Sequence, residues 1–189
     1  MVDLTEAVSL YEEFLSENPA FGQAHEIAKA NSTGRLWLVG GAVYRILNYF
    51  LRDVPFQMED WDFLAEGVKD IPIIPPGWDF ERTGYGDPRF KKDEQMVDIL
   101  ALDKIISIQR RDLEPTLENY LSGVSLTIQS IAYDFEGKGV IGEVGIDALL
   151  KGEVAPNRVE DMEHMRGGLP MEEYVRQVAE SLNFEPIFP

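Results

Sequence analysis

The sequence predicts an α+β fold in which a mixed, mainly antiparallel sheet is flanked by helices, with further helical segments at both ends of the chain. Three observations indicate this fold. Apolar residues recur three and four positions apart over residues 3–30, and again directly after Gly40 and Gly41, which is the helical period. A short apolar run of strand length precedes the two glycines. From Asp60 onward, apolar and polar residues alternate as they do in a half-buried strand.

The composition limits the classes of function. The 189 residues carry 34 Asp and Glu against 17 Lys and Arg, a formal net charge of −17. Affinity for nucleic acid depends on cationic side chains that neutralise phosphates, so long DNA or RNA is not an expected partner. The sequence has no Cys and only two His, which excludes disulfides and thiolate zinc sites and leaves little material for a Ser-His-Asp triad.

Hydropathy gives no sign of a membrane segment. The first residues lack the basic and apolar regions of a secretory signal, and no window reaches the ~18 apolar residues that a membrane span needs. We therefore expect a soluble, cytoplasmic protein with no membrane partner.

The N-terminal elements follow from apolar spacing and from helix breakers. Residues 3–30 predict two short helices, because Asn18-Pro19 interrupts the helical period. A turn over 31–34 and a strand over 36–39 follow. The clearest helix is at 43–51, where apolar residues form one stripe and polar residues the opposite side.

The middle of the chain predicts strands. Residues 60–64 alternate as a strand, and the proline-rich segment 71–77 must be a loop. Residues 79–102 are interpreted as strands around a turn at 92–94, the second of them running over 95–100.

The remaining predicted elements alternate helix and hairpin. They are helical material over 103–132 broken near Pro115 and Gly123, a hairpin of 133–135 and 140–143, the start of a helix at 146–150, and a last helix over 171–183.

The glycine pair between strand and helix is the first candidate site. Glycine lets the backbone approach a ligand closely, and the free N–H groups of a helix start favour an anion such as phosphate. Arg45, on the polar side of the predicted helix, is a candidate cation for the same anion. The alternative is that Gly40 and Gly41 form an ordinary turn and that Arg45 is a surface residue.

Three aspartates are candidate metal ligands. Asp60 and Asp62 point to one face of a strand while Trp61 and Phe63 point to the other, and adjacent carboxylates favour a cation such as Mg²⁺ between them. Asp98 lies within an apolar strand, where a carboxylate is costly to bury without a partner or a metal. The alternatives are a solvated edge for the first pair and the exposed face of an edge strand for Asp98.

As an ordered set, these segments resemble the nucleotidyltransferase superfamily that includes DNA polymerase beta. More narrowly, they resemble the head domain of bacterial poly(A) polymerases and CCA-adding enzymes. The matching segments are Leu38-Val39-Gly40-Gly41-Ala42-Val43, Asp60-Trp61-Asp62-Phe63-Leu64, Val97-Asp98-Ile99 and residues 126–134. The resemblance predicts an N-terminal helical segment (1–33), a nucleotidyltransferase-like domain (34–154) and a C-terminal helical extension (155–189).

The resemblance implies a mechanism and assigns roles. A nucleoside triphosphate is the substrate, and two Mg²⁺ ions orient it and activate an acceptor hydroxyl. The implied catalytic residues and metal ligands are Asp60, Asp62 and Asp98. The implied nucleotide-binding residues are Gly40 and Gly41, and the candidate cations for the triphosphate are Arg45, Arg89 and Lys91. Exposed Arg and Lys are also ordinary surface residues, which is the alternative for these three cations.

Two functions remain open from the sequence. One is transfer of a nucleotidyl group to a small-molecule or protein acceptor by a Mg²⁺-dependent enzyme, which the three intact aspartates favour. The other is a catalytically degenerate nucleotide-binding or protein-interaction module, whose acidic surface would contact a basic protein partner. The observation that supports this alternative is that Tyr44-Arg45 and Gly123-Val124-Ser125 replace the Arg-Asp and Arg-Arg-Asp elements of the family.

Overall fold

The computed structural model describes residues 2–58, 60–158 and 168–188. Two short 3₁₀ helices, Leu102–Lys104 and Thr127–Gln129, accompany the α-helices of this part of the chain. The α-helices are Leu4–Glu17 (α1), Pro19–Asn31 (α2), Gly41–Arg52 (α3), Ile106–Arg110 (α4), Leu117–Gly123 (α5), Glu143–Lys151 (α6) and Met171–Leu182 (α7).

Within the described residues, seven strands form one mixed sheet in the order β3-β4-β5-β2-β1-β6-β7. They are Ser32–Val39 (β1), Asp60–Val68 (β2), Asp79–Arg82 (β3), Pro88–Lys92 (β4), Gln95–Ala101 (β5), Ala132–Asp134 (β6) and Gly139–Ile141 (β7). Strands β2 and β5 pair in parallel and the other neighbours pair antiparallel, so the predicted α+β class with a mainly antiparallel sheet is confirmed.

The structure corrects two element predictions. The turn over 31–34 is wrong, because α2 continues to Asn31 and β1 begins at Ser32. The buried Asn31 side chain closes the helix by donating from Nδ2 to the Ile27 carbonyl oxygen. Within the predicted helical region 103–132, the structure contains only short helices. The last residue of that region, Ala132, lies in β6 and pairs with Val39 and Ile141.

The sheet has an apolar cluster on each face. Helices α1, α2 and α3 contribute to the larger cluster, in which Trp61 and Phe63 of β2 are buried as predicted. Helices α4 and α5 contribute to the smaller cluster on the other face, together with Leu64 of β2. Because side chains alternate along a strand, Asp60 and Asp62 lie on the same face as Leu64.

Helix α7 packs onto this domain. Its apolar side, including Val175 and Leu182, is buried in the larger cluster, and Nδ2 of the buried Asn48 in α3 donates to the Leu182 carbonyl oxygen at 2.9 Å. Glu153–Val154 (β8) and Glu185–Pro186 (β9) pair in parallel. The predicted extension 155–189 also contains residues 159–167, which lie outside the described part. None of the described helices combines the length and apolar character needed to cross a membrane.

Candidate functional site

The strand register places four of the segments singled out above in one row across the sheet. Val39 of β1 pairs with Asp62 of β2, Asp62 pairs with Asp98 of β5, and Asp98 pairs with Arg89 of β4. Register partners point to the same face, so Asp62, Asp98 and Arg89 are neighbours on the face of the smaller cluster. Asp60 is two residues from Asp62 on the same face, toward the beginning of β2.

Five of the predicted site residues line one cavity of about 440 Å³, which we call the glycine pocket. They are Gly40, Gly41, Arg45, Asp60 and Asp62. The glycines and Arg45 come from the start of α3, and the aspartates come from the start of β2, which runs beside the end of β1. The glycine pocket therefore combines the free end of a helix with a pair of carboxylates.

Two features require a glycine at position 40, namely its backbone conformation and the close approach of Asp62. Its φ is 70°, in the left-handed region that glycine adopts without strain. A Cβ atom at this position would lie 2.7 Å from Oδ2 of Asp62. The absence of a side chain thus allows the Asp62 carboxylate to lie directly against the β1–α3 turn.

The start of α3 is prepared for an anion. No side chain caps the helix, so the first N–H groups have no side-chain acceptor. Arg45 lies over Gly41, where a Cβ would be 3.4 Å from its Nε. That Nε is buried and has no hydrogen-bond partner among the described residues. An anion such as phosphate would satisfy both the helix start and Arg45.

The surroundings of Asp62 disfavour its charged form. The pKa of Asp62 is raised from 3.8 to about 7, mainly by burial and further by the charges of Asp98 and Asp60. Arg89 and Arg45 act in the opposite direction but do not offset these effects. At neutral pH this carboxylate therefore accepts a proton readily, or a cation in place of the proton.

Arg89 holds Asp98 by two hydrogen bonds. Its Nε donates to Oδ1 at 2.7 Å and its Nη2 donates to Oδ2 at 2.6 Å. Asp98 is only 8% exposed, so it is a buried carboxylate with a partner, as its apolar surroundings require. The same pair raises the pKa of Arg89 above its usual range.

The three candidate cations for the triphosphate lie in different places. Arg45 lines the glycine pocket, whereas Arg89 lines a neighbouring cavity together with Asp98. Lys91 lines neither of these two cavities and pairs with Glu81 at 2.6 Å on the outer strands β3 and β4. Only Arg45 is therefore placed beside the glycines in this arrangement.

The donor set fits one divalent cation in part. Asp60 and Asp62 offer hard oxygen ligands in a pocket with an excess of negative charge, which suits Mg²⁺. Both oxygens of Asp98 accept hydrogen bonds from Arg89. Across the described segments, no three Asp, Glu or His side chains are gathered closely enough to hold a metal ion. The three-carboxylate site stays a prediction, and it would require Arg89 to release Asp98.

Two polar residues that the sequence interpretation did not assign also belong to the site. Gln129 lines the glycine pocket, with its amide held between the Leu126 N–H and the Tyr174 hydroxyl. Tyr120 of α5 lines the neighbouring cavity, and its pKa is raised by burial and by the charge of Asp62. Gln129 lies within the segment that carries the resemblance, but no spacing in the sequence indicates how α5 docks Tyr120.

Comparison with solved structures gives matches of low sequence identity. A CCA-adding enzyme in complex with ATP matches 93% of this chain and 41% of its own, with a TM-score of 0.58 and 17% identity. The Bacillus stearothermophilus CCA-adding enzyme in complex with CTP matches 90% of this chain and 41% of its own, with a TM-score of 0.58 and 20% identity. A tRNA nucleotidyltransferase complexed with a primer tRNA and an incoming ATP analog matches 81% and 43%, with a TM-score of 0.53 and 19% identity.

These likenesses concern the fold. The resemblance predicted from the sequence is confirmed at that level, and the chain spans less than half the length of the structures that it matches. No protein-family model matches the sequence. No curated protein is significantly similar to it.

Proposed function

We propose that this protein transfers a nucleotidyl group from a nucleoside triphosphate to a small-molecule or protein acceptor. The observation that carries the proposal is the glycine pocket, which presents an uncapped helix start and the buried Nε of Arg45 on one side and the Asp60–Asp62 pair on the other. Triphosphates are polyanions that bind to such helix starts and to Arg. Similar structures contain CTP or ATP, which supports a nucleotide ligand.

The chain's own groups have distinct parts in binding. The N–H groups at Gly41 and Ala42 and the Arg45 guanidinium would hold the terminal phosphates, and Gly40 keeps the turn open to them. Asp60 and Asp62 would hold a divalent ion such as Mg²⁺, which when bound would offset part of the triphosphate charge and polarise the α-phosphate.

The reaction breaks one P–O bond and forms another. The acceptor oxygen bonds to the α-phosphorus, and the bond from that phosphorus to the bridging oxygen of the β-phosphate breaks, releasing pyrophosphate with the electron pair. The acceptor proton passes to the leaving pyrophosphate, because Asp62 would be a ligand of the divalent ion and both oxygens of Asp98 accept hydrogen bonds from Arg89. No external oxidant or reductant is needed.

The net charge of −17 supports a small or proteinaceous acceptor. An RNA acceptor needs a basic surface to hold its phosphates, and this chain has twice as many acidic as basic residues. One of the matched structures is a complex with a primer tRNA. We propose that this chain differs from it in the class of acceptor and that its acidic surface contacts a basic protein partner.

The second candidate function is a nucleotide-binding module that has lost catalysis. The Arg89–Asp98 ion pair favours it, because a guanidinium occupies both oxygens that an ion at Asp98 would need. In that case Arg89 permanently replaces the second ion, and the glycine pocket only binds nucleotide.

Calorimetry tests the proposal. CTP and ATP are titrated into the wild type with Mg²⁺, with EDTA, and with Mg²⁺ into the variants Asp62→Asn and Arg45→Gln. We expect binding only with Mg²⁺, loss of binding in Asp62→Asn, and roughly 10- to 100-fold weaker binding in Arg45→Gln, since a charge-assisted hydrogen bond contributes about 1.5–3 kcal/mol. Asp79→Asn, an exposed change on β3, is the matched control and should bind as the wild type does.

Binding that is equal in the wild type and in Asp62→Asn would contradict both candidate functions. Release of pyrophosphate from the bound triphosphate, measured in the presence of a set of hydroxy acids and sugar phosphates, separates the two. If the wild type releases pyrophosphate and Asp98→Asn does not, the result supports nucleotidyl transfer. Tight binding without release over the whole set supports the binding module.

A further inference from the structure

A second cavity, of about 330 Å³, lies on the other side of the Asp62–Asp98 row from the glycine pocket, and we call it the tyrosine pocket. It lies between β5, the loop before β4, and helices α4 and α5. Its apolar wall consists of Tyr85, Leu100, Ile105, Ile106, Tyr120 and Val124. A cavity of this size and lining suits a small organic molecule with an aromatic or aliphatic body.

The charges of the two pockets differ in sign. The tyrosine pocket is lined by the cations Arg89, Lys104 and Arg110 and by the carboxylates Asp87 and Asp98, a net charge of +1. The glycine pocket, lined by one Arg and two Asp, has a net charge of −1. In a protein with a net charge of −17, a concave positive site is an exception that attracts an anion.

The cations at the tyrosine pocket are not equivalent. Arg89 is held by Asp98. Burial raises the pKa of Asp87, and the positive charge of Lys104 offsets part of this effect, so Lys104 has a carboxylate nearby. Arg110 is exposed and forms no ion pair with any residue of the described ranges. The uncompensated charge of the pocket is therefore at Arg110, and it matches one negative charge on a ligand.

The two pockets are adjacent. Asp62 lines the glycine pocket, its register partner Asp98 lines the tyrosine pocket, and Tyr120 of the tyrosine pocket is close enough to Asp62 to respond to its charge. A molecule in the tyrosine pocket thus has its inner end beside the carboxylates and its outer end beside Arg110.

We propose that the tyrosine pocket is the acceptor subsite, and that it takes a small hydroxyl-bearing monoanion with an aromatic or apolar body. The inference rests on the proposed nucleotidyl transfer. The hydroxyl lies toward Asp98, the body lies against Leu100 and Tyr120, and the anionic group lies toward Arg110. The hydroxyl oxygen then bonds to the α-phosphorus of the nucleotide in the glycine pocket, the bond from that phosphorus to the β-phosphate oxygen breaks, and pyrophosphate leaves with the electron pair and the hydroxyl proton.

Three probes test the chemistry of the pocket by saturation-transfer NMR and titration. They are 4-hydroxyphenylacetate, the neutral 4-hydroxyphenylacetamide, and lactate, which has the charge and hydroxyl without the apolar body. We expect 4-hydroxyphenylacetate to bind roughly tenfold more tightly than either of the other probes. A factor of about ten in affinity is typical of one charge-assisted contact. Equal binding of the three probes, or binding of none, overturns the proposal.

Variants locate the binding. Lys104→Gln/Arg110→Gln should abolish the preference for the anion over the amide. The control Lys29→Gln/Arg176→Gln removes the same two charges at exposed positions outside the pocket and should keep that preference. All four side chains are exposed, so neither variant should disturb folding. A preference that survives in the first variant, or is lost equally in both, overturns the assignment of the site.

A last measurement separates this inference from the proposed function. With CTP or ATP and Mg²⁺ present, nuclear Overhauser effects between the probe and the bound nucleotide are expected, because the pockets are adjacent. If both ligands bind without such contacts, the acceptor assignment is wrong and the proposed nucleotide site stands. If the probe binds but no triphosphate does, the proposed function is wrong, and the acceptor role is wrong with it.

Discussion

Arg89 and Asp98 form a two-point ion pair between neighbouring strands, with Nε to Oδ1 at 2.7 Å and Nη2 to Oδ2 at 2.6 Å. Asp98 pairs in register with Arg89 on one side and with Asp62 on the other. Arg89 is therefore the counter-ion of Asp98, and Asp98 lies beside Asp62, whose pKa is raised. Whether Arg89 stays or leaves decides how much negative charge the site presents to an incoming cation.

Arg89→Gln should destabilise the protein and strengthen its response to Mg²⁺. Removing one partner leaves Asp98 buried and unpaired, and we expect a loss of about 2 kcal/mol in the free energy of unfolding, reduced from the fully buried case because Arg89 is partly exposed. Mg²⁺ at millimolar concentration should restore part of this loss, since the ion can take the place of the guanidinium. Urea denaturation with and without Mg²⁺ measures both effects.

Lys91→Gln is the matched control for that experiment. It removes a cation from the same strand, but its pair with Glu81 is exposed and should contribute little. Equal losses in Arg89→Gln and Lys91→Gln would show that the Asp98 pair has no special role.

Asp62→Asn should change the pH dependence of stability. The folded-state pKa of about 7 lies above the ordinary value of 3.8, so between these values the folded state binds the proton more strongly than the unfolded state. Wild-type stability should therefore fall as pH rises from about 4 to about 7, by at most ~1.4 kcal/mol per pH unit, and then level off. Asp62→Asn cannot titrate here and should lack this loss.

Urea denaturation of the wild type and Asp62→Asn at pH 5 and pH 8 measures the difference. Relative to the wild type, the variant should gain on the order of 2 kcal/mol between the two pH values, allowing for partial exposure of Asp62. Asp79→Asn serves as the exposed control. Parallel curves for the wild type and Asp62→Asn would show that Asp62 titrates normally.

Gly40→Ala should be more harmful than the corresponding change at another glycine with positive φ. Both Gly40 and Gly77 have φ in the left-handed region, at 70° and 79°. A Cβ at Gly77 would meet no atom within 4 Å, whereas at Gly40 it would lie 2.7 Å from Oδ2 of Asp62. Gly77→Ala thus measures the backbone strain alone, of order 1 kcal/mol.

The excess effect of Gly40→Ala then reports the contact with Asp62. We expect an additional 1–2 kcal/mol of destabilisation, typical of overpacking, together with loss of triphosphate binding in calorimetry. If both variants lose the same stability and both bind CTP, the close approach of Gly40 to Asp62 has no functional importance.

Asn31→Ala should release the proline-rich segment 71–77. Asn31 is 1% exposed, its Nδ2 donates to the carbonyl oxygens of Ile27 and Ile73, and its Oδ1 accepts from the Ile73 N–H at 2.7 Å. The variant leaves these backbone groups without their partner, which costs about 2–3 kcal/mol. Limited proteolysis should cleave near Ile73 earlier than in the wild type, and Gln23→Ala, an exposed change in the same helix, should not alter cleavage.

The sequence predicted the parts of the site that depend on local pattern. The glycine turn, the face shared by Asp60 and Asp62, and the burial of Trp61 and Phe63 follow from chain geometry over a few residues. The Arg89–Asp98 pair can also be predicted from the sequence, because the tight β4–β5 turn pairs Lys92 with Gln95 and therefore places Arg89 opposite Asp98. The interpretation of Arg89 as a triphosphate ligand did not use this register.

The remaining features depend on tertiary packing. Helical spacing over 103–132 predicted helices, but it could not show that Ala132 completes a sheet pairing with Val39, or that α5 places Tyr120 beside Asp62. Such contacts join segments that are far apart in the chain. Local helix and strand preferences do not determine which of these segments meet. The tyrosine pocket is absent from the sequence interpretation for the same reason.

The hairpin of β4 and β5 has a consequence for the order of folding. Asp62 and Asp98 lie on parallel strands, so docking β5 beside β2 closes the long connection through β3 and β4, and we expect this non-local step to be slower than formation of the local β4–β5 hairpin. Arg89 and Asp98 belong to the same hairpin, so the second carboxylate reaches the sheet already joined to its own counter-ion. The chain thus closes the centre of an acidic protein without bringing two bare charges together.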